Sequence, residues 1–117
     1  TIMLSHQSDA DIMAIANPIM DNLMAGSTAI DHAQHTRDFS ERMKAIVTPE
    51  HLQYVCQHYQ AQWGYFTERE LVAIFRRPTS VAIVWKQFCS QQAGEFVAEM
   101  VLIEQNGQYL VDHAMVF

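Results

Sequence analysis

The chain has 117 residues, half of them hydrophobic, with 13 acidic side chains against 7 basic ones and a net charge of −6. That length fits one domain, and the apolar content is enough for a core without metal or disulfide staples. So acidic a balance excludes a protein that tracks nucleic-acid phosphates or adheres to an anionic membrane, because both need clustered basic charge.

Residues 1–8 are mixed in character and read as frayed. Ser8 or Asp9 can cap a helix, and Ile12, Ile15, Ala16, Ile19, Met20 and Leu23 then recur at helical spacing. The stripe stays in phase across Pro18, which predicts one kinked helix, and Gly26 supplies a stop. Thr28 with Asp31 has the form of a capping box, predicting a short helix to about Arg37. Asp38 with Glu41 repeats the signal before Phe39, Met43, Ile46 and Val47. Thr48-Pro49-Glu50 is a strong helix start, with a cap, a proline at the first position and an acid in the first turn. Leu52, Val55, Cys56, Tyr59 and Trp63 define the buried side of that helix, and Gly64 ends it.

After Gly64 the hydrophobic period changes from 3.6 to 2. Strands are predicted at residues 65–76, 81–90, 95–105 and 108–117. Most are longer than the usual five to six residues, and long strands in a small antiparallel sheet must twist and coil. The fold class is therefore α+β, with three N-terminal helices packed on a long, curved four-stranded antiparallel sheet that forms a cone.

Asn106-Gly107 between two apolar runs is a two-residue hairpin turn. Counting back from it pairs Leu102 with Val111, Met100 with His113, Ala98 with Met115 and Phe96 with Phe117. One face then carries Phe96, Met100, Leu102, Tyr109, Val111, His113, Met115 and Phe117, and its bulk assigns it to the helices. The other carries Val97, Glu99, Val101, Ile103, Leu110, Asp112, Ala114 and Val116 and faces outward. A four-residue loop at 91–94 sets Lys86 opposite Glu99 on the outer face, and Glu70 aligns with Lys86 across the first hairpin. The inner face gains Leu71, Phe75, Val81, Ile83, Trp85 and Cys89, together with the polar Arg69 and Gln87. Trp85, Met100 and His113 fall in one row.

The chemistry candidates follow from that face. An imidazole at His113 is either a general base or ligand contact, or a core histidine satisfied by a backbone carbonyl. Arg69 and Gln87 either bind a carboxylate or other anion, or Arg69 reaches the rim. His32 and His35, beside Asp31, have a spacing that can hold a metal on a helix, but no third ligand is placed, so no metal site is assigned. Cys56 and Cys89 show no zinc or redox spacing and read as two buried free thiols, with a single bridge left open. Arg76-Arg77 beside Pro78 reads as a solvated turn. No run reaches 18 apolar residues, and no charged start leads into an apolar segment. A soluble chain is the expectation; since the sequence begins at Thr1, its compartment is left open. The outer face is apolar apart from a band of Glu70, Lys86, Glu99 and Asp112, which predicts a homodimer through it.

The order of elements resembles the nuclear transport factor 2-like superfamily, the cystatin-like α+β cone, over nearly the whole chain. Within it the likeness is to small uncharacterised bacterial domains, carried by Gly26, Phe39-Ser40, Met43-Lys44, Val84-Trp85-Lys86 with Phe88, and the Asn-Gly hairpin. The resemblance implies a pocket between sheet and helices, and dimers through the outer face. It spans isomerases, dehydratases, hydrolases and pure binding modules, and fold does not choose among them. The ketosteroid-isomerase members use a pocket aspartate with a tyrosine, and in this register no carboxylate faces the interior. The sequence therefore reads as a non-enzymatic, homodimeric binding or assembly domain without a cofactor. Its mainly apolar pocket, lined by His113, Trp85, Arg69, Gln87, Met100 and Tyr59, would take a small apolar or anionic ligand. The alternative is a small isomerase or dehydratase using His113 as base, with Arg69 or Tyr59 polarising the substrate.

Overall fold

The computed structural model describes residues 2–117; Thr1 lies outside them. The chain runs α1 (Asp9–Ala29), α2 (His32–His35), α3 (Glu41–Ile46) and α4 (Pro49–Trp63), then β1 (Phe66–Arg76), β2 (Ser80–Cys89), β3 (Phe96–Gln105) and β4 (Gln108–Val116). The strands form one antiparallel meander in sequence order. The fold is thus α+β, with four helices rather than three against one sheet. Among the described residues no helix is long and apolar enough to cross a membrane.

Local chemistry sets the helix starts. Ser8 Oγ accepts from Asp11 N, and Thr48 Oγ1 accepts from His51 N ahead of Pro49. Residues 4–6 are not frayed: Leu4–His6 make a 3-10 turn that buries Leu4 in the core. α1 continues unbroken through Pro18 and past Gly26, ending at Ala29 with Ile30 in the left-handed region at φ 52°. Gly26 is therefore not the stop. It is buried where α1 and α2 cross, and a Cβ there would lie 2.5 Å from His35 N.

The two short helices expected after α1 form, but from other caps. Asp31, not Thr28, caps α2, and Ser40 caps α3 by accepting from Met43 N. Between them the chain straightens along the sheet: Val111 N donates to Asp38 O at 2.7 Å and Ser40 N donates to Val111 O at 2.9 Å, a parallel bridge centred on Phe39. Those bonds leave residues 38–40 no share in a helix.

The sheet confirms the Asn106-Gly107 turn and the pairing of Leu102 with Val111. One residue further on, the register slips. Val101, not Met100, faces His113, so Asp112 is the extra residue of a β-bulge. The inward residues beyond it are Ala114 and Val116, while His113 and Met115 turn outward; a slip of one exchanges the faces. β1 carries two such irregularities, near residues 67–68 and at Val72. The second turns Ile74 inward against Ile83 and Phe75 outward against Ala82. Between β2 and β3 the pairing differs from expectation by two residues, which preserves every face. Lys86 lies opposite Val97 and bonds Glu95 at 3.3 Å instead of Glu99. The loop is longer because Ser90 and Gln91 donate to Tyr65 O and Trp63 O, held to the start of β1.

The main core joins Ile12, Ala16 and Met20 of α1 to Val81, Ile83, Trp85, Met100, Leu102 and Val111 of the sheet. Each is close to fully buried, so the inner face of β2 and β3 is filled by α1 itself. A second cluster of Leu52, Cys56 and Tyr59 lies under α4. The end of α4 rests on the sheet, Tyr59 on Phe66 and Trp63 on Phe96, and space is left under the rest of the helix.

Candidate ligand-binding cavity

That space is a cavity of about 470 Å³, inside the usual range of about 300–1,000 Å³ for small-molecule sites. α1 contributes Met20, Leu23, Met24 and Ser27; α4 contributes Leu52, Cys56, Tyr59 and Trp63; Ala114 and Val116 of β4 reach it from the sheet. Phe39, Met43 and Phe66 complete the apolar wall. The exposed lining residues Tyr54, Val55 and Met115 mark its open side. Among the described residues no carboxylate lines it.

The buried polar groups in the wall are few and bonded, while His51, Tyr54, His58 and Gln62 stand at the exposed mouth. Ser27 Oγ lies 2.7 Å from Tyr59 Oη and 3.4 Å from Cys56 Sγ. Gln60 Nε2 donates to Tyr59 Oη and to the carbonyls of Ser27 and Thr28, tying the end of α1 to α4. Burial, outweighing these bonds, pushes both the Cys56 thiol and the Tyr59 phenol up from their ordinary values, so neither ionises near neutrality. His35 closes one end, with Nδ1 2.9 Å from Leu23 O and its ring edge-on to Phe39. Burial holds the His35 imidazole below its ordinary value, against the opposing pull of the Leu23 bond.

Of the side chains expected around a pocket, only Tyr59 lines this cavity. His113 is on the outer face, its Nε2 2.8 Å from Glu99 Oε1, in a polar concavity of about 340 Å³ that Arg42, Arg77 and Asp112 also line. The bulge at Asp112 put it there. Ser40 Oγ and Arg42 Nε donate to the Asp112 carboxylate, and Arg42 also reaches the Asp112 carbonyl. The row of Trp85, Met100 and His113 does not form: Trp85 pairs with Ala98, and Met100 with Ile83 and Ala114. Trp85 and Met100 are 2% and 0% exposed beneath α1, filled core rather than wall.

Arg69 and Gln87 are cross-strand partners, and both are committed. Arg69 stacks over Trp85 at 5.2 Å and donates to Asp21 Oδ1 at 2.7 Å. Gln87 Nε2 donates to the carbonyls of Thr67, Glu68 and Phe88, meeting acceptors that the first irregularity of β1 frees from the ladder. His32 and His35 bond two different carbonyls, Val47 O and Leu23 O, and do not converge. Among the described residues no three His, Cys, Asp or Glu gather as a metal site. Cys56 and Cys89 are both free.

Sequence reasoning missed Ser27, His35 and Cys56 as neighbours. Gly26 was the available signal. A buried glycine inside a helix marks a close backbone approach, here of α2, and that approach delivers His35 to the cavity.

No family model and no curated protein matches this sequence. Solved structures do match it. The NTF2-named chain Rd1NTF2_05, in a five-substitution variant, aligns with a TM-score of 0.61 at 13% identity, over 87% of this chain and 96% of its own. An NTF2-like protein of unknown function from Shewanella baltica OS155 aligns with a TM-score of 0.58 at 10% identity, over 96% of this chain and 97% of its own. A protein of unknown function with a cystatin-like fold from Methylobium petroleophilum PM1 gives 0.52 at 15% identity, over 89% and 75%. The chain has the nuclear transport factor 2-like, cystatin-like fold.

Proposed function

We propose that the chain is a non-enzymatic, homodimeric binding domain that takes a small, mainly apolar ligand between α4 and the end of β4. The observation that carries this reading is the cavity wall. It is mainly aliphatic and aromatic, it holds no carboxylate among the described residues, its buried hydroxyl, phenol and thiol are bonded to one another, and His51, His58 and Gln62 stand at its exposed mouth. Apolar burial supplies affinity in such a site, and no carboxylate among the described residues is placed to act as its base. His113 cannot serve it as base from the far face of the sheet.

The dimer reading rests on the outer face. Phe75 and Met115 are 54% and 51% exposed there, beside the half-buried Val84, Val97 and Val101. Toward the middle of this face Lys86 is paired with Glu95, Arg42 with Asp112, and His113 is bonded to Glu99, while Glu70 lies exposed on β1 at its edge. A second copy could therefore cover the apolar centre while Glu70 keeps to the rim, and an isologous pair is the common solution.

The test is a fluorescence titration with N-phenyl-1-naphthylamine, an uncharged aromatic probe. Saturable binding of one probe per chain is expected, abolished by Ala114→Trp and unchanged by His113→Ala. Non-saturable binding, or binding that survives a folded Ala114→Trp variant, removes the cavity as the site. Sedimentation of the wild type at micromolar concentration should give a dimer and Val101→Lys a monomer; a wild-type monomer sinks the dimer.

A further inference from the structure

His35 lines the cavity, and one of its ring nitrogens has no hydrogen-bond partner among the described residues. Its Nδ1 lies 2.9 Å from Leu23 O, and a carbonyl oxygen only accepts, so Nδ1 carries the proton. The imidazole is neutral, held so by burial. In that tautomer Nε2 is a bare lone pair, and among the described residues nothing donates to it. The ring is fixed as well as polarised. Its bond to α1 and its edge-on contact with Phe39 leave it one orientation, and the tight crossing at Gly26 holds its backbone in place. The buried polar side chains of the wall, Ser27, Cys56 and Tyr59, are inside a bonded cluster.

From this we infer that the cavity selects an apolar ligand carrying one hydrogen-bond donor, a hydroxyl or N–H, and that His35 Nε2 is the acceptor that reads it. An acceptor-only group, an ether, ester or halide, gains nothing at this atom, and a carboxylate would meet its lone pair with like polarity. The ligand class is therefore an alcohol, a phenol or an N–H heterocycle rather than a fatty acid anion. The other imidazoles nearby are His32 on its own helix and His51 and His58 of α4, which line the same cavity. None of them replaces Nε2 as a deep acceptor: His32 is bonded to Val47 O, and His51 and His58 are exposed.

The inference rests on the cavity being a ligand site, and its test separates the two. Binding of 2-naphthol and of 2-fluoronaphthalene, near-isosteres with and without the donor, is measured by calorimetry. The proteins are the wild type, His35→Asn and Ser27→Ala. Asparagine can keep a donor to Leu23 O but has no atom where Nε2 stands. His35→Asn is expected to weaken 2-naphthol roughly fivefold, the size of one net hydrogen bond, and to leave 2-fluoronaphthalene unchanged. The unchanged affinity of 2-fluoronaphthalene also reports that the variant is folded. If both probes weaken together, or neither does, His35 is structural and the inference falls while the cavity stands. If only Ser27→Ala removes the preference, the hydroxyl cluster reads the donor and the inference also falls. If neither probe binds the wild type, the cavity reading fails and takes the inference with it.

Discussion

Replacing Gly26 with alanine sets two effects of opposite sign against each other. In a helix interior the change is favourable by about 1 kcal/mol, because alanine restricts the unfolded chain and glycine does not. At this position the new Cβ would lie 2.5 Å from His35 N, 2.6 Å from His35 Cα and 2.9 Å from His35 Cβ. Two of those three atoms are backbone, so no rotamer change relieves the contact. α2 must back away by most of an ångström, loosening the His35–Leu23 bond and the packing of Phe39 behind it. Overpacking of this kind costs about 1–3 kcal/mol, and a contact this close to backbone atoms falls in the upper part of that range, so clash wins over propensity and the net loss is about 1–2 kcal/mol. For a chain of this size that lowers the thermal midpoint by about 4–8 °C. Calorimetry or a circular-dichroism melt reads it, with Ala14→Gly on the exposed side of α1 as control. The control should also destabilise, by about 1 kcal/mol. The same exchange then costs stability in both directions at two places on one helix. A Gly26→Ala variant that melts at or above the wild type would refute the close crossing of α1 and α2.

Gln87→Leu should cost about 1–2 kcal/mol in urea midpoint, since three carbonyls lose their donor while only the unpartnered Oε1 is relieved of burial. Gln87→Glu should cost more, because a carboxylate would face those oxygens with nothing to donate; a stabilised leucine variant counts against the role given to this side chain. Stability should also fall with acid in a way traceable to His35. Its folded pKa lies below the ordinary 6.5 because burial disfavours the cation, so the unfolded chain binds the proton first. The contribution is complete above about pH 6.5 and drains away as pH falls through the folded value. Urea midpoints taken from pH 7.5 down to pH 5, roughly the window this linkage predicts, should slope less steeply in His35→Asn than in the wild type. An unchanged slope would mean that His35 is solvated.

The turn at Asn106-Gly107 was enough to place every residue from Leu102 to Val111 on its proper face, because hairpin geometry propagates with period two. It failed at Asp112, where an inserted residue resets the alternation. The only local hint was an aspartate inside an apolar strand, a residue strands disfavour. Oδ1 of that aspartate accepts from both Ser40 and Arg42, some seventy residues earlier in the chain, so the bulge is a tertiary fact with no local code. The shift that moved Lys86 from Glu99 to Glu95 had a milder result, because a slip of two returns each side chain to its own surface. Helix starts at Ser8 and Thr48 were legible because their caps act over three residues. The cavity was not legible. It depends on most of α4 standing off the sheet and on α2 reaching α1 across a glycine, distances that no periodicity records.

The short bridge between residues 38–40 and Val111 bears on how the molecule meets others of its kind. An open sheet offers two rows of unpaired amides and carbonyls, each a template for another strand. Along β4 the row is occupied at its middle by Asp38 O and Ser40 N, so an incoming strand finds no continuous ladder. Along β1 the row is broken twice by irregular pairing and carries the exposed charges of Glu68, Glu70 and Arg76. Neither side can be extended in register. The protein is thereby guarded against fibre-like growth strand by strand.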